Sequence, residues 1–374
     1  MHPLTDDSTH KESPMASNAT PSTAPNHEAF ALEAGDLRKT FAGGRGKPPV
    51  KALDGLSFRA KAGSIFGLLG PNGAGKSTTV KILSTLSRAD SGRAFVAGID
   101  VAKNPDKVRR AIGFVAQKQV SDPMDTGREN LVLAGRLQGM RGGDAKARAD
   151  ELLARFSLKD AANRQVKTYS GGMARKLDVA IGLMHRPSVL FLDEPTTGLD
   201  PEARAEMWQE IERMSGDEGM TVLLTTHYLE EADRLASRLA IVDHGRVVTQ
   251  GTPDELKNEL RGDAVIIELA QEADPSDAVR TFTLVPGLRD IGLDTTGGSH
   301  VVRARADIGA TALPLALAAL EDARVGVRSA TVARPSLDDV YLSHTGRTFA
   351  RAQEGTATTG VDSDAEASTK EFAS

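Results

Sequence analysis

The run Gly70-Pro71-Asn72-Gly73-Ala74-Gly75-Lys76-Ser77, with Thr78 next in line, fits the spacing glycine, four residues, Gly-Lys-Ser. That spacing lets successive backbone N–H groups converge on phosphate oxygens, so the stretch points to ATP or GTP. Lys76 can reach the β- and γ-phosphates, Ser77 can ligate Mg²⁺, and a helix opening here adds a favourable dipole. A second stretch, Val189-Leu190-Phe191-Leu192-Asp193-Glu194, is an apolar run ending in two carboxylates. Beside a bound triphosphate such a pair divides the work: Asp193 holds Mg²⁺ through water while Glu194 orients and activates the attacking water. A Gly-rich turn with a lysine, or an acidic turn after a strand, is ordinary alone; together they carry a chemistry.

These residues need a scaffold that brings them to one edge. Ser64 to Leu69 reads as a buried strand and Lys76 to Leu83 as a helix, the strand-loop-helix context the phosphate loop requires. Ala111–Ala116, Val189–Leu192, Thr221–Thr225 and Leu239–Val242 are further strand candidates, which predicts a layered α/β domain with a parallel sheet. Ligands of such sheets sit beyond the carboxyl ends of the strands, where Asp193 and Glu194 fall. From Thr126 to Thr168 strands give way to helical spacing, with Glu129–Ala134 and Ala147–Phe156 as helices, so a helical subdomain is expected over about 118–170.

After Arg261 the pattern changes. A strand at Ala264–Ala270, a helix at Ser276–Phe282, strands near Leu288 and Val301, a helix at Ala312–Ala319 and a strand at Val327–Ala333 give the order β-α-β-β-α-β. That order predicts a small α+β ferredoxin-like domain over 262–348. Residues 1–28 and 349–374, rich in Ser, Thr, Ala and acidic residues, lack the periodic apolar positions needed to offset ordering entropy and are expected to be disordered. The α/β domain then spans 29–261.

A third motif, Tyr169-Ser170-Gly171-Gly172-Met173, lies upstream of Val189 and before the helix-like Ala174–Leu183. Here the chain resembles the ATP-binding cassette (ABC) family, whose signature is Leu-Ser-Gly-Gly-Gln. Phe41, the phosphate loop, Gln117, the signature, Asp193-Glu194, Gly198-Leu199-Asp200 and Thr225-Thr226-His227 follow in that family's order, from about Ala31 to Leu260. The resemblance implies a P-loop NTPase core and an ATPase working with ATP and Mg²⁺. It implies that Phe41 stacks on adenine, that Gln117 reaches Mg²⁺ or the lytic water, and that His227 contacts the γ-phosphate. Each has a plainer alternative: Phe41 as core, Gln117 as a strand cap, His227 as a satisfied surface residue. Lys76, Gln117, Glu194 and His227 are the expected catalytic set, and Ser77, Gln117 and Asp193 the metal set. Ser170, Gly171 and Gly172 would contact ATP held by a second copy of the chain, with Asp200 between the two sites. Tyr169 and Met173 depart from the family's Leu and Gln; the hydroxyl and the small glycines remain, and what is put in doubt is a polar contact from the Met173 position to the nucleotide sugar.

The 374 residues are 40% hydrophobic and 26% charged with a net charge of −5, the balance of a globular protein with no basic stripe for nucleic acid. No apolar stretch approaches the roughly 20 residues of a membrane span, and no cysteine supplies a disulfide or thiolate metal site. A single cassette without a span reads as the ATPase subunit of a transporter, docked as a peripheral protein on the cytoplasmic face of the membrane against a separate permease. The stretches Asp122–Leu131 and Arg334–Leu342 resemble the daunorubicin-resistance type of exporter ATPase, which implies export of a drug, antibiotic or other amphipathic compound. The competing readings are a non-transport cassette ATPase acting on ribosome or DNA and a soluble ATPase that sequesters a drug.

Overall fold

The computed structural model describes residues 30–43, 48–296 and 299–357. The expected tail at 1–28 and the part of the other tail beyond 357 lie outside them. Strands β1 (Phe30–Phe41) and β2 (Val50–Lys61) form a long hairpin, and β3 (Ile65–Leu69) leads through the phosphate loop into α1 (Lys76–Leu83). β4 (Ser91–Val96) and the short β5 (Ile99–Asp100) return to the hairpin, giving an antiparallel sheet of order β2-β1-β4-β5. This sheet was not legible as separate strands. Its edge positions are polar and its registers are broken by bulges, so the period of two is blurred.

α2 (Pro105–Ala111) and β6 (Ile112–Val115) precede the helical insertion, α3 (Gly127–Leu137) and α4 (Gly142–Arg155). Then come α5 (Gly171–Gly182), β7 (Val189–Asp193), α6 (Pro201–Gly216), β8 (Thr221–Thr226), α7 (Leu229–Leu235), β9 (Arg238–Asp243) and β10 (Arg246–Gly251). The second sheet has the order β10-β9-β3-β8-β7-β6, parallel except for β10. Its five parallel strands coincide with the five apolar runs read from the sequence, because strands buried on both faces are continuous in apolar residues. β3 is buried at every position. One core, with Phe66, Leu68, Val80 and Phe191, fills the space between the two sheets; another, with Leu131, Leu152, Leu177, Leu190 and Met207, joins the parallel sheet to the insertion.

Beyond α8 (Pro253–Glu259), β11 (Asp263–Leu269), α9 (Pro275–Leu284), β12 (Leu288–Thr296), β13 (Ser299–Ala306), α10 (Gly309–Asp322) and β14 (Val327–Ala333) follow the β-α-β-β-α-β order. They form an antiparallel sheet of order β12-β13-β11-β14, the ferredoxin-like arrangement. Val265, Ile267, Phe282, Val302 and Leu320 build its core between sheet and helices.

The chain then adds α11 (Leu337–Thr345) and α12 (Phe349–Ala357). The expectation of disorder from residue 349 is therefore corrected over 349–357. Phe349 and Ala352 are buried with Leu337, Val340 and Tyr341 against Leu69, Ile241 and Leu256 of the nucleotide-binding part. A polar composition concealed these two anchors because burial here is supplied by surfaces distant in sequence. Arg347 Nη2 bonds both Asp243 carboxylate oxygens at 2.9 Å, and Tyr341 Oη donates to the same group at 3.2 Å. Burial and the Asp243 charge push the Tyr341 phenol up to about 12. On the other side Arg305 pairs with Asp339, and Arg351 with Asp294. The two helices thus sit between the ferredoxin-like sheet and the larger part of the molecule.

Replacing Phe349 by Ala removes an aromatic ring from this junction and is expected to cost about 3 kcal/mol. Urea unfolding followed through Trp208, the single tryptophan, measures it. A loss below about 1 kcal/mol would show that α12 does not pack as described.

Candidate functional site

The phosphate loop leaves β3 at Gly70 and closes at Gly75, which caps α1 with φ 109°. A Cβ on Gly75 would lie 2.7 Å from the Ala52 carbonyl oxygen, so both conformation and space demand glycine there. Lys76 is 4% exposed, and its ammonium donates to the carbonyls of Gly70 at 2.7 Å and Pro71 at 3.1 Å. Burial lowers its pKa, opposed by the Glu194 and Asp193 carboxylates. Gly245 N donates to the Ala74 carbonyl at 2.9 Å, so the β9–β10 turn braces the loop from behind.

β7 ends at Asp193, whose Oδ1 accepts from Thr225 Oγ1 at 2.5 Å and from Ser77 Oγ at 3.4 Å. The next residue, Glu194, has φ 48°, a left-handed conformation that costs a side chain energy and is held by its surroundings. Its N–H donates to the Thr225 carbonyl and hydroxyl, each at 3.1 Å. Its carboxylate is buried. Oε1 faces Lys76 Nζ at 3.7 Å, and Oε2 accepts from Gln117 Nε2 at 3.0 Å and Thr197 Oγ1 at 3.4 Å. His227 Nδ1 lies 3.0 Å from Oε2, within reach of the carboxylate though not in the alignment of a good hydrogen bond. Burial pushes the Glu194 carboxyl up, but His227 and Lys76, with the Thr197 hydroxyl, outweigh it and hold the group below the usual glutamate range. An ionised carboxylate beside a phosphate cradle can accept a proton from water.

Lys76, Gln117, Glu194 and His227 come from the loop after β3 and the segments after β6, β7 and β8, all at the carboxyl edge of the parallel sheet. The structure brings these four together with Ser77 and Asp193. Ser170, Gly171, Gly172 and Asp200 form a second group. α5 begins at Gly171, earlier than the helix-like run, because Ser170 Oγ caps it by accepting from Met173 N at 3.2 Å. Asp200 caps α6 through Ala203 N at 2.9 Å, and a Cβ on Gly172 would meet Ala203 Cβ at 2.8 Å. Phe41 stands at the end of β1, paired with Val50 and 42% exposed, with the Lys39 ammonium 5.4 Å from its ring centre. Its exposure argues against the core alternative. Among the described residues no hydrogen bond or ion pair links Phe41, Ser170, Gly172 or Asp200 to the phosphate loop or to Glu194.

The sequence reading missed the tethering by Thr197 and Thr225 and did not single out Arg175. Arg175 is buried, and its guanidinium bonds the backbone carbonyls on both sides of Glu194, those of Asp193 and Pro195. The signal was present as a cation on the same helix face as the buried Asp178 and Gly182, where apolar residues are the rule.

Comparison with known proteins agrees with this geometry. A family model described as ABC transporter matches residues 53–197, and one described as ATP-binding protein DrrA1-3-like, C-terminal domain, matches 251–345. A daunorubicin resistance ATP-binding protein of Streptomyces coeruleorubidus is 45% identical over 85% of this chain and 96% of its own length. A daunorubicin/doxorubicin resistance ATP-binding protein of Streptomyces peucetius is 45% identical over 84% and 92%. Among solved structures, a dimeric ATP-binding cassette in a post-hydrolysis state with ADP and phosphate superposes with a TM-score of 0.54 at 26% identity, covering 59% of this chain and 98% of that one. By its motifs, its fold and these relatives, the chain belongs to the ABC transporter family and is an ATP-binding, ATP-hydrolysing subunit of the daunorubicin-resistance type.

Proposed function

We propose that two copies of this chain close around two ATP molecules and drive a separate membrane permease that exports a drug, an antibiotic or another amphipathic compound. The observation that carries the hydrolytic part is the Glu194 carboxylate, held ionised among Lys76, Gln117 and His227 beside the phosphate loop. In this reading the loop amides from Gly70 to Thr78 cradle the phosphates and Lys76 leaves its carbonyl partners for the β- and γ-oxygens. Phe41, exposed at a strand end, stacks on the base. Glu194 takes the proton of the attacking water, Gln117 orients that water, and His227 meets the γ-phosphate.

Ser77 and Asp193 present a hydroxyl and a carboxylate oxygen 3.4 Å apart, the hard donors that Mg²⁺ accepts alongside phosphate oxygens and waters. Bound there, Mg²⁺ would neutralise charge developing on the phosphates.

Pairing is supported by the second group of motif residues, which stands apart from the phosphate loop at the open starts of α5 and α6. Ser170, Gly171 and Gly172 then close over the partner's ATP, with Asp200 between the sites. The dimeric cassettes among the solved relatives support the same arrangement. Among the described residues no helix is long and apolar enough to cross a membrane; in this reading a separate permease, met at the cytoplasmic face, supplies the path. The drug-resistance names of the relatives support the class of cargo.

Glu194→Gln keeps the shape of the side chain and removes the base. It is expected to lower kcat by about 10²-fold or more while leaving ATP affinity within about threefold, and to favour an ATP-bridged dimer on size exclusion. Wild-type turnover in this variant would refute the role of Glu194. Chelation of Mg²⁺ with EDTA is expected to abolish hydrolysis, and Ser77→Ala to raise the Mg²⁺ needed for half-maximal rate by about tenfold or more. An unchanged Mg²⁺ requirement would remove Ser77 from the metal set. Purification from membranes should recover one integral membrane protein in fixed ratio with the chain; its consistent absence would count against transport.

A further inference from the structure

α5 carries the signature residues at its start and two buried charged side chains further along. Arg175 is 8% exposed and Asp178 2% exposed. The Arg175 fork reaches two separate stretches of backbone. Nη1 donates to the Ala116 carbonyl at 2.5 Å, directly before Gln117. Nε donates to Pro195 O at 2.8 Å, and Nη2 reaches Asp193 O at 3.2 Å and Glu194 O at 3.4 Å. Asp178, three residues on and on the same helix face, accepts from Ser121 N at 3.1 Å and from Val120 N at 3.4 Å. The loop that carries Gln117 is therefore gripped at its beginning by Arg175 and at its end by Asp178. The strained Glu194 residue is gripped at both ends too, its N–H by Thr225 and its carbonyl by Arg175.

We propose that Arg175 is a positioning residue for ATP hydrolysis, fixing the Glu194 backbone and the Gln117 loop to the helix that begins at Ser170, with Asp178 holding the far end of that loop. The inference rests on the reading of Glu194 and Gln117 as the hydrolytic pair. A guanidinium suits this task because its rigid planar fork can serve several carbonyls at once, which a single ammonium cannot. It also explains why a charge is kept where the helix face is otherwise closed to water. Ser170 and Arg175 are about 7.5 Å apart along one rigid helix. A displacement of its start, where a second subunit's nucleotide would dock, is delivered directly to the carboxylate and amide of the chain's own site.

The test compares Arg175→Lys, Asp178→Ala and Asp178→Asn with wild type and with Glu194→Gln, in the full chain. Arg175→Lys, which keeps the charge and loses the fork, is expected to lower kcat at least tenfold while the Kd for a fluorescent ATP analogue stays within threefold and the melting temperature stays close to wild type. Asp178→Ala is expected to behave similarly, and Asp178→Asn, which keeps an acceptor for the Ser121 N–H, to recover at least half of the lost activity. Turnover in Arg175→Lys within threefold of wild type, with Glu194→Gln inactive, would overturn the proposal and leave the reading of Glu194 intact. A loss of kcat matched by an equal loss of ATP affinity and of melting temperature would overturn it as well, reducing Arg175 to a fold-stabilising residue. Full turnover in Glu194→Gln would overturn the underlying reading and this proposal together.

Discussion

The structure around the nucleotide loop depends on keeping one carboxylate charged inside the protein. Glu194 is 9% exposed and Lys76 4% exposed, and each would be costly to bury as a lone ion, by several kcal/mol in a low-dielectric surround. Together, with His227 and the Gln117 amide turned to the same carboxylate, they leave Glu194 ionised. The arrangement requires four chain segments to end at one place. A parallel sheet achieves this, since β3, β6, β7 and β8 all discharge their following loops at the same edge. The left-handed conformation of Glu194 belongs to the same requirement: it turns the chain sharply off β7 so that the carboxylate faces the loop, and Thr225 and Arg175 hold the turn through its backbone.

The C-terminal part is built into the molecule rather than appended to it. A ferredoxin-like sheet has helices on one face only, and α11 and α12 occupy its other side through Asp339 with Arg305 and through Arg351 with Asp294. Their opposite surface buries Tyr341 and Phe349 against β9 and α8. The polar anchor is Asp243, the last residue of β9, and the turn that follows it donates from Gly245 to the phosphate loop. Gln353 of α12 donates to the His227 carbonyl at 3.2 Å. The C-terminal helices thus touch backbone that borders the nucleotide site on two sides.

The legible parts of the chain were those whose physics is local. The parallel strands were readable because burial on both faces leaves no room for polar positions, as in Ile65–Leu69. The phosphate loop was readable because its glycines answer to backbone conformation; Ser170 and Asp200 were reached through the resemblance of their motifs, and the caps they place on α5 and α6 were not read. The hairpin sheet β2-β1-β4-β5 was not, since half-exposed strands with bulges lose their alternation. Phe349 and Ala352 were hidden in a polar stretch because the surface that buries them comes from β9, α7 and α8.

By itself, the amino-acid sequence determined the chemistry and the order of its parts: a phosphate loop and an acidic pair after a buried strand are specified by residue type and spacing, and the Ser-Gly-Gly motif between them by its resemblance to the family's signature. Only the tertiary structure decided which of these residues act on one another. The charge state of Glu194 depends on Lys76 and His227, the hold on Gln117 depends on Arg175 and Asp178, and α12 depends on a surface far upstream in the chain, on β9, α7 and α8. Electrostatic and packing energies fall off with distance in space and are indifferent to distance along the chain, so they become visible once the fold has set those distances.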